Sequence, residues 1–312
     1  MNYVVPLQSK LRKFIKDNTL LNASIFLIQN AFQLVYFWNP LRVRKVKQNC
    51  SRRYRIGIMV RVKDEGKFIL EWIGHHILAG VDHIYIYDNG STDNTREILQ
   101  DVITKGYVTY IYWPTKPISP NAEMDFFQRF GSECEWVAFL DADEFIVSRQ
   151  EQQLYDLLSN VHGPALALNW RLFGSSWVEE PKDNCMLQEL VYSDSKLNRH
   201  VKVIVRPCCV KAYRNPHNFY YKSGRLAHTI DGTRVYGSFA TAQESSEIEL
   251  WHYIHRGRFD SSRKAGMSVT AEGHFATRDE SYVDANAHND QLNKLPPLHL
   301  NALARWVATH SA

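Results

Sequence analysis

Acidic side chains follow three of the strands that the sequence predicts. Residues 63–66 read Lys-Asp-Glu-Gly after the first strand, residues 88–93 read Asp-Asn-Gly-Ser-Thr-Asp after the second, and residues 141–144 read Asp-Ala-Asp-Glu after the fourth. Because the carboxyl ends of parallel strands meet at one edge of a sheet, these acids should lie close together. Clustered carboxylates bind hard divalent cations and accept hydrogen bonds from nucleotides. The spacing therefore predicts a cation and nucleotide site at one sheet edge.

Asp141 and Asp143 form an Asp-x-Asp triplet directly after the apolar run Trp-Val-Ala-Phe-Leu. At the point where the chain leaves the sheet, both carboxylates can face one cation. A turn in which the two side chains bind nearby backbone amides explains the same residues. From the triplet alone, both interpretations stay open.

The segment 88–93 also has two interpretations. Asn-Gly-Ser is ordinary turn chemistry, and Ser, Thr and Asp commonly cap helices. Asp88 and Asp93 flank this turn, however, where acids accept hydrogen bonds from a base or ribose in nucleotide-binding sheets. The sequence contains no Gly-x-Gly-x-x-Gly, no P-loop and no His-Glu-x-x-His motif, so dinucleotide, P-loop and zincin sites lack their key residues.

Alternating strand and helix patterns position these residues. Apolar runs predict strands at 55–62, 83–87, 107–113 and 135–140, with another around Trp170. Helical spacing predicts helices at 67–79, from Thr92 or Asp93 to about 104, around 121–130 and at 295–306. This alternation predicts an α/β fold in which helices cover both faces of a mostly parallel sheet.

Charge is distributed unevenly along the 312 residues. The net charge is +4, but residues 1–56 contain eleven Lys or Arg and a single acid, which gives +10 there and −6 in the remainder. We therefore divide the chain into a basic, amphipathic arm (1–55), a catalytic domain (56–275) and a C-terminal extension (276–312). The slightly acidic body argues against nucleic acid as a partner. Five cysteines without metal-site spacing favour a reducing compartment.

The arm contains an uncharged stretch at residues 18–41. Its amides disfavour a membrane-spanning helix, and its apolar residues fall mainly on one side of a helical wheel. Basic clusters on both flanks favour peripheral contact with an anionic bilayer. A helix packed on the protein's own body explains the same pattern. We predict a cytoplasmic protein, held at the inner face of the cell membrane if the first interpretation is right.

Several blocks of the sequence together resemble the GT-A glycosyltransferases of family 2-like and family 92 type. The resemblance covers about residues 57–270, and the joint occurrence of the blocks is more specific than any one of them. The blocks are Arg61-Val-Lys-Asp-Glu-Gly, Glu71-Trp72, Tyr85-Ile-Tyr-Asp-Asn-Gly-Ser-Thr-Asp93, Phe139-Leu-Asp-Ala-Asp-Glu-Phe145, Asn169-Trp-Arg-Leu-Phe-Gly-Ser-Ser176, Val201-Lys-Val-Ile-Val-Arg-Pro207, Pro216-His-Asn-Phe219 and Trp251-His-Tyr-Ile-His-Arg256.

The resemblance implies a GT-A fold, a UDP-linked sugar as donor, Mn²⁺ or Mg²⁺ as cofactor, and inversion at the anomeric carbon. Carried over by position, Asp88 and Asp93 would contact the uridine, and Lys63 and Glu65 would line the same edge. The metal and diphosphate would be bound by three further residues, namely Asp141, Asp143 and His252.

One block departs from the family pattern. A Lys-Ser pair commonly follows the His-Tyr of these enzymes, whereas Ile254-His255-Arg256 follows it here, so Arg256 or His255 would take the basic role. Lys202 and His217 would add electrostatic stabilisation of the leaving diphosphate. The alternation around Lys202 is also typical of a plain edge strand.

An inverting transfer needs a general base beside the acceptor hydroxyl. Glu189 is the first candidate because its position resembles that of a family glutamate on the acceptor side. Glu144 is the second, although directly after the Asp-x-Asp triplet it could instead orient Asp143. Three acids in the intervening loop are further options: Glu179, Glu180 and Asp183.

Four large or aromatic side chains have both a packing and a binding interpretation. Trp177 lies beside a polar loop, which favours stacking on an acceptor sugar. Trp170 lies within a predicted strand and is assigned to the core. His75 and His76, on the first predicted helix, are assigned to helix packing.

We therefore predict a metal-dependent, inverting, hexosyltransferase-type enzyme that passes sugar from a UDP-linked donor to a glycan or lipid-linked acceptor, in a setting such as polysaccharide biosynthesis. Two alternatives remain. One is a catalytically inactive carbohydrate- or nucleotide-binding module with the same fold. The other is a phosphotransferase or nuclease, which would also use clustered carboxylates and a cation.

Overall fold

A computed structural model describes residues 52–114, 121–148, 153–242, 247–258, 284 and 287–311, together with four single residues of the arm. The amphipathic segment 18–41 otherwise lies outside the described residues, so its docking stays a prediction. In the described parts, no helix combines the length and apolarity needed to cross a bilayer.

The described residues form fourteen strands: β1 (Tyr54–Val62), β2 (His83–Asp88), β3 (Val108–Tyr112), β4 (Cys134–Asp141), β5 (Glu144–Ser148), β6 (Ala165–Phe173), β7 (Tyr192–Ser193), β8 (Val201–Val205), β9 (Val210–Asn215), β10 (Asn218–Tyr221), β11 (Ala227–His228), β12 (Arg234–Val235), β13 (Ile248–Tyr253) and β14 (Gln291–Leu292).

Seven α-helices connect or cover them: α1 (Ile69–Leu78), α2 (Thr95–Ile98), α3 (Gln100–Thr104), α4 (Asn121–Arg129), α5 (Leu154–Ser159), α6 (Met186–Glu189) and α7 (Pro297–His310). Two single 3₁₀ turns, Pro207–Cys209 and Lys222–Gly224, complete the regular structure of the described residues.

The main sheet has the order β12-β11-β6-β8-β4-β1-β2-β3. Strands β4, β1, β2 and β3 run parallel, which confirms the predicted βαβ alternation. The next strand, β8, is antiparallel to both β4 and β6. Beyond it, β13 runs parallel to β6 and antiparallel to β5. The order β3-β2-β1-β4 is that of doubly wound nucleotide-binding sheets, whose ligands bind at the carboxyl ends of the strands.

Helices cover both faces of this sheet, as the alternation predicts. Residues of even number on β1, such as Ile58, pack in one apolar cluster with Trp72 of α1. Met59 points to the opposite face and packs in a second cluster with Phe126 of α4. The predicted α/β class is therefore confirmed.

Two helices have bounds that differ from the prediction. The helix expected to reach residue 104 begins at Thr95 and is divided at Leu99 into α2 and α3. The closing helix begins two residues later than predicted and ends four residues later, at His310.

Helix α7 packs directly on α1 at Gly74. A Cβ atom on Gly74 would lie 2.4 Å from Trp306 and 2.9 Å from Leu303, so only glycine permits this approach. Leu303 belongs to the main apolar cluster. The described residues of the C-terminal extension thus share the core of the preceding domain, and the domain division itself stays a prediction.

Candidate active site

The carboxyl ends of β1, β2 and β4 bring the predicted acidic segments together. In the strand register, Val62 pairs with Asp88 and Arg61 pairs with Asp141. Asp141 thus lies one strand away from the end of β1, and Asp88 lies on the other side of β1. The prediction that these acids converge at one edge of the sheet is therefore confirmed for their positions in the strand register.

The two loops that follow β1 and β2 are hydrogen-bonded to each other. The Asp93 carboxylate accepts the Gly66 N–H at 3.0 Å, and the Asp64 carboxylate accepts the Thr92 N–H at 2.6 Å. Partial burial favours a higher pKa for Asp64, but the donors on Thr92 outweigh it and hold the pKa below its ordinary value. Asp64 and Asp93 therefore join the two loops at this edge of the sheet before any ligand binds.

Asp88 has a structural role in this loop. Its side chain is 1% exposed, and its Oδ1 accepts the Ser91 N–H at 2.7 Å and the Ser91 hydroxyl at 2.8 Å. Its Oδ2 accepts the Tyr110 hydroxyl at 2.6 Å. Burial and this bond to Asp88 raise the pKa of Tyr110. A direct contact of Asp88 with a uridine would require the exchange of one of these bonds, so this role stays a prediction.

Lys63 lies on the exposed rim of the same loops. Its Nζ is 3.5 Å from the Gly90 carbonyl oxygen, and the side chain is otherwise open to solvent. This position is compatible with the predicted contribution to a donor site.

Lys202 is buried beneath the Asp-x-Asp turn. The residue is 2% exposed, and its Nζ lies 2.8 Å from Asp141 Oδ2 and 3.2 Å from Glu144 Oε2. Burial alone would lower the pKa of Lys202, but the carboxylates of Asp141 and Glu144 raise it above its ordinary value. The ammonium group is therefore charged and directly adjoins the first carboxylate of the triplet.

Glu144 corrects one sequence-based candidate. Its side chain is 0% exposed, and its Oε2 accepts the Asp141 N–H at 2.9 Å. Burial favours a raised pKa for Glu144, and the adjacent charge of Lys202 opposes this shift and favours the carboxylate. Because an acceptor hydroxyl cannot reach this carboxyl group, Glu144 is a positioning residue for Asp141 and not the general base.

Glu189, the other candidate base, lies on a separate element. It ends α6, and its Oε2 accepts the Lys182 N–H at 3.1 Å. The buried Glu71 of α1 anchors this short helix by accepting the Met186 and Leu187 N–H groups, each at 2.9 Å. Within the described residues, no hydrogen bond or ion pair joins Glu189 to the Asp-x-Asp turn. Its role as base stays a prediction.

Arg256 links the second aspartate of the triplet to the β1–α1 loop. Its guanidinium forms a two-pronged ion pair with the Glu65 carboxylate, and its Nη2 is 3.5 Å from Asp143 Oδ2. Of the two basic candidates in the departing block, Arg256 is thus the one beside the triplet. His255 is fully buried and its ring faces that of His288. Glu65, which was predicted to line the donor site, is thus the ion-pair partner that holds Arg256 in place.

His252 adjoins Asp143 from β13. Its Nε2 lies 3.6 Å from Asp143 Oδ1, and its ring centroid is 4.5 Å from that of Trp170. The rings of His200 and His217 also contact Trp170. Trp170 is buried, which confirms its assignment to the core, and it holds His252 beside the triplet.

His217 supplies no positive charge at this edge. Burial, assisted by the nearby Lys202, lowers the pKa of His217 to about 4, and its Nδ1 is 3.0 Å from the Val201 carbonyl oxygen. The predicted role of His217 beside the leaving diphosphate stays a prediction, and in this structure it would be that of a neutral ring. Of Lys202 and His217, Lys202 is the one that carries positive charge.

Sequence reasoning missed one charged pair on the same edge. Arg61 Nε lies 3.5 Å from Glu123 Oε1, and the Glu123 side chain, on α4, is only 3% exposed. Burial raises the pKa of Glu123, and the charge of Arg61 opposes this shift. The alternation of side chains along β1 could have indicated this pair. Arg61 lies on the same face of the strand as Met59, and α4 covers that face.

The donor types at this edge fit a hard divalent cation. Carboxylate oxygens and a neutral imidazole are ligands that Mn²⁺ accepts, and half of the Asp141 side chain (52%) is exposed. The described residues nevertheless contain no ready-made group of three or more His, Cys, Asp or Glu side chains around a metal position. Asp141, Asp143 and His252 thus have suitable chemistry, and metal binding would need their rearrangement away from Lys202 and Arg256.

The fold and the site define an α/β protein whose carboxylates and cations meet at the carboxyl ends of the first, second and fourth strands. Residues 61–255, more than half of the chain, match glycosyltransferase family 92. The chain belongs to this family, and the resemblance seen in the sequence blocks is confirmed.

Curated relatives match over a smaller region. A family 92 protein of Oryza sativa subsp. japonica is 34% identical over 104 residues, which are 33% of this chain and 18% of that protein. One of Arabidopsis thaliana is 28% identical over 104 residues, or 33% of this chain and 18% of that protein. The chain thus spans about a fifth of the length of the curated relatives it matches.

Solved structures show distant likenesses. S. aureus TarS 1-349 has a TM-score of 0.39 and 11% identity, with 74% of this chain and 70% of that chain covered. Its complex with UDP-GlcNAc has a TM-score of 0.35 and 16% identity, with 50% and 46% covered. Glucosyl-3-phosphoglycerate synthase from Mycobacterium tuberculosis, in complex with Mn²⁺, UDP and glucosyl-3-phosphoglycerate, has a TM-score of 0.27 and 19% identity, with 44% and 47% covered.

Proposed function

We propose that this protein is a metal-dependent, inverting glycosyltransferase that transfers a sugar from a UDP-linked donor to a hydroxyl group of a glycan or lipid-linked acceptor. The observation that carries the proposal is the Asp141–Asp143 turn, held by buried Lys202 and by Arg256 where three parallel strands end. Membership in glycosyltransferase family 92 supports the reaction class.

The charges at this edge suit the departure of a nucleoside diphosphate. As the bond from the sugar to the diphosphate breaks, negative charge grows on the phosphate oxygens. Lys202 and Arg256 keep positive charge within ion-pair distance of the triplet. Because both groups are buried, they would stabilise that charge more strongly than solvated cations would.

Asp141, Asp143 and His252 are the residues that would hold Mn²⁺ or Mg²⁺. A bound divalent cation supplies charge neutralisation at the diphosphate oxygens. On the protein side, Lys202 keeps Asp141 ionised, while Trp170 and the backbone of β13 orient His252 toward Asp143. The base that takes the acceptor proton would come from the α6 region, with Glu189 as the candidate.

A screen of nucleotide sugars tests this proposal. We expect Mn²⁺-dependent hydrolysis or transfer of a UDP-sugar by the full chain, abolished by chelator. Asp141→Asn and Asp143→Asn should lower the rate at least about 100-fold, the size of effect seen when one transition-state electrostatic contact is removed. Asp156→Asn, an exposed acid on α5, is the matched control and should retain full activity.

Three outcomes would contradict parts of the proposal. Full activity of the Asp141→Asn/Asp143→Asn double variant in chelator would reject the assigned site. Stabilisation by ATP or nucleic acid instead of UDP would favour a phosphotransferase or nuclease. Retention of the donor's anomeric configuration in the product, read by NMR, would reject inversion.

The arm supports a second part of the proposal. Its +10 charge and its uncharged amphipathic stretch suit peripheral contact with an anionic membrane, where a lipid-linked acceptor would lie. Deletion of residues 1–45 should abolish sedimentation with vesicles that contain anionic lipid and should leave sedimentation with neutral vesicles unchanged. Unchanged binding to anionic vesicles would reject membrane contact through the arm.

A further inference from the structure

The cations around the Asp-x-Asp turn differ in how many of their donors are already used. Lys202 is flanked by Asp141 and Glu144, and Arg256 by Glu65 and Asp143. Each of these two cations is therefore balanced by a pair of carboxylates. A further cation with unused donors would add to the positive charge that these two groups and a bound divalent cation offer to a diphosphate.

Arg61 has that unused capacity. Its Nε lies 3.5 Å from Glu123 Oε1, and across the described residues no other hydrogen bond or ion pair involves its guanidinium. The side chain is 21% exposed, so part of it can be reached from solvent. A guanidinium presents paired N–H groups that match two phosphate oxygens.

The position of Arg61 is fixed by the sheet. It is the last but one residue of β1 and pairs with Asp141 in the register of β1 and β4. Met59 and Phe139 pack in the cluster on the α4 face, and residues two further along each strand, Arg61 and Asp141, leave the sheet on that face. Arg61 therefore lies beside the first aspartate of the triplet.

Glu123 gives an independent sign that this arrangement is incomplete. The residue is 2% exposed, and its Oε2 is buried without a hydrogen-bond partner among the described residues. A buried carboxylate with one loose ion pair is costly, because the unpaired oxygen has lost its water. An anionic diphosphate cannot pair with this oxygen, so a small movement of the Arg61 side chain toward it is what would complete the ion pair.

We propose that Arg61, held by Glu123, is the residue of the donor site that binds the diphosphate of the sugar nucleotide. Arg61 donates hydrogen bonds from its terminal nitrogen atoms to two phosphate oxygens. Glu123 keeps the guanidinium on the α4 side of Asp141. This inference rests on the proposed function and adds a phosphate-binding residue to it.

Calorimetric binding of three probes tests the assignment: uridine, UDP and inorganic pyrophosphate, each with Mn²⁺ and each with chelator. Arg61→Gln should weaken UDP and pyrophosphate roughly 10- to 100-fold, the effect of losing charge-assisted hydrogen bonds. Uridine should change by less than about twofold, because it has no phosphate. Arg61→Lys, which keeps the charge but not the paired geometry, should give an intermediate loss.

Two further variants keep the test interpretable. Arg61→Gln leaves Glu123 buried without a cation, so the double variant Arg61→Gln/Glu123→Gln removes both charges and should keep the wild-type thermal midpoint while losing pyrophosphate binding. Arg305→Gln, an exposed arginine on α7, is the matched control and should bind all probes as the wild type does.

The outcomes separate this inference from the proposed function. UDP and pyrophosphate affinities within twofold of wild type in a folded Arg61→Gln protein would overturn the role of Arg61 and leave the glycosyltransferase proposal standing. Pyrophosphate binding that depends on Arg61, without any binding of UDP, would support the phosphate site and reject the donor. Binding of neither probe by the wild type would overturn both.

Discussion

The ammonium group of Lys202 lies 2.8 Å from the Asp141 carboxylate and 3.2 Å from that of Glu144, and it is almost completely buried. Asp141 is exposed on its other side, whereas Glu144 is enclosed. One buried cation thus supports an exposed carboxylate from below. This arrangement keeps the first aspartate of the triplet ionised and fixed in place.

Removal of Lys202 should therefore affect stability as well as activity. In Lys202→Met, the buried Glu144 carboxylate loses its partner, and loss of one member of a buried pair lowers the free energy of unfolding by about 3–5 kcal/mol. Urea denaturation measures this change. The double variant Lys202→Met/Glu144→Gln should recover part of the loss, because no uncompensated buried charge remains.

Lys294→Met, an exposed lysine before α7, controls for the loss of a lysine as such and should change the free energy of unfolding by less than about 0.5 kcal/mol. If Lys202→Met were as stable as this control, Lys202 would not be the partner of buried carboxylates that its distances indicate.

Arg256 should act mainly on catalysis. In Arg256→Gln, Glu65 and Asp143 lose their shared cation, so the β1–α1 loop is no longer held to the triplet. We expect kcat to fall at least about tenfold, because Asp143 is no longer held in position for the transfer. Steady-state kinetics with the active donor measures kcat.

Arg234→Gln is the matched control for Arg256, because Arg234 is exposed on β12. Arg256→Lys should restore part of the rate through its charge alone. An unchanged kcat in Arg256→Gln would remove Arg256 from the site.

The sequence predicted those features that depend on local pattern and chain order. Apolar periodicity located β1 to β4 and α1, and the parallel arrangement then required the acids after these strands to meet. The sequence could not assign roles within the cluster. Asp88 has an ordinary turn composition around it, and whether its oxygens face Ser91 or a ligand depends on the Tyr110 hydroxyl from another strand.

Long-range pairs explain the remaining differences. Lys202 lies 61 residues from Asp141 in the chain, and its burial depends on the antiparallel insertion of β8 between β4 and β6. The same insertion encloses Glu144 and excludes it as a base. No spacing rule connects residues on different strands at such distances, which is also why the pairing of Arg61 with Glu123 was not foreseen.

Trp177 should act on acceptor binding. It is 51% exposed, and both Ser176 and Trp177 have positive φ angles, of 50° and 59°. Residues other than glycine adopt this conformation at an energetic cost that is frequently kept at ligand sites. The carbonyl oxygen of the next residue, Val178, accepts the N–H of Arg258 at 3.0 Å. Arg258 lies two residues after Arg256 in the chain. An exposed tryptophan beside a backbone bond to the segment that carries Arg256 suits stacking on a sugar ring.

Trp177→Ala should therefore raise the KM for the acceptor about tenfold and leave the KM for the donor unchanged, which initial-rate kinetics at varied acceptor concentration measures. Trp177→Phe should retain most of the acceptor affinity. Leu298→Ala, an exposed apolar change on α7, serves as the control. A parallel rise in both KM values would indicate a general disturbance of the site and not acceptor stacking.

Acid should destabilise the protein through its buried histidines, and His76 is the clearest case. It is fully buried, its Nδ1 lies 2.8 Å from the Trp72 carbonyl oxygen, and its Nε2 accepts the Ile146 N–H at 3.3 Å. Since one ring nitrogen must donate and the other must accept, the ring is neutral. These contacts confirm the helix-packing role expected for His75 and His76.

Burial lowers the pKa of His76 to about 3, whereas the unfolded chain titrates near the ordinary value of about 6.5. Between these values the unfolded state binds more protons, so stability is complete above about pH 6.5 and falls as the pH decreases. At pH 5, His76 alone should lower the free energy of unfolding by about 2 kcal/mol. Urea denaturation at pH 7.5 and pH 5 should show this loss in the wild type and a smaller loss in His76→Gln. His162→Gln, on the loop before β6, should keep the full wild-type loss, and an equal pH response of His76→Gln and wild type would refute the assignment.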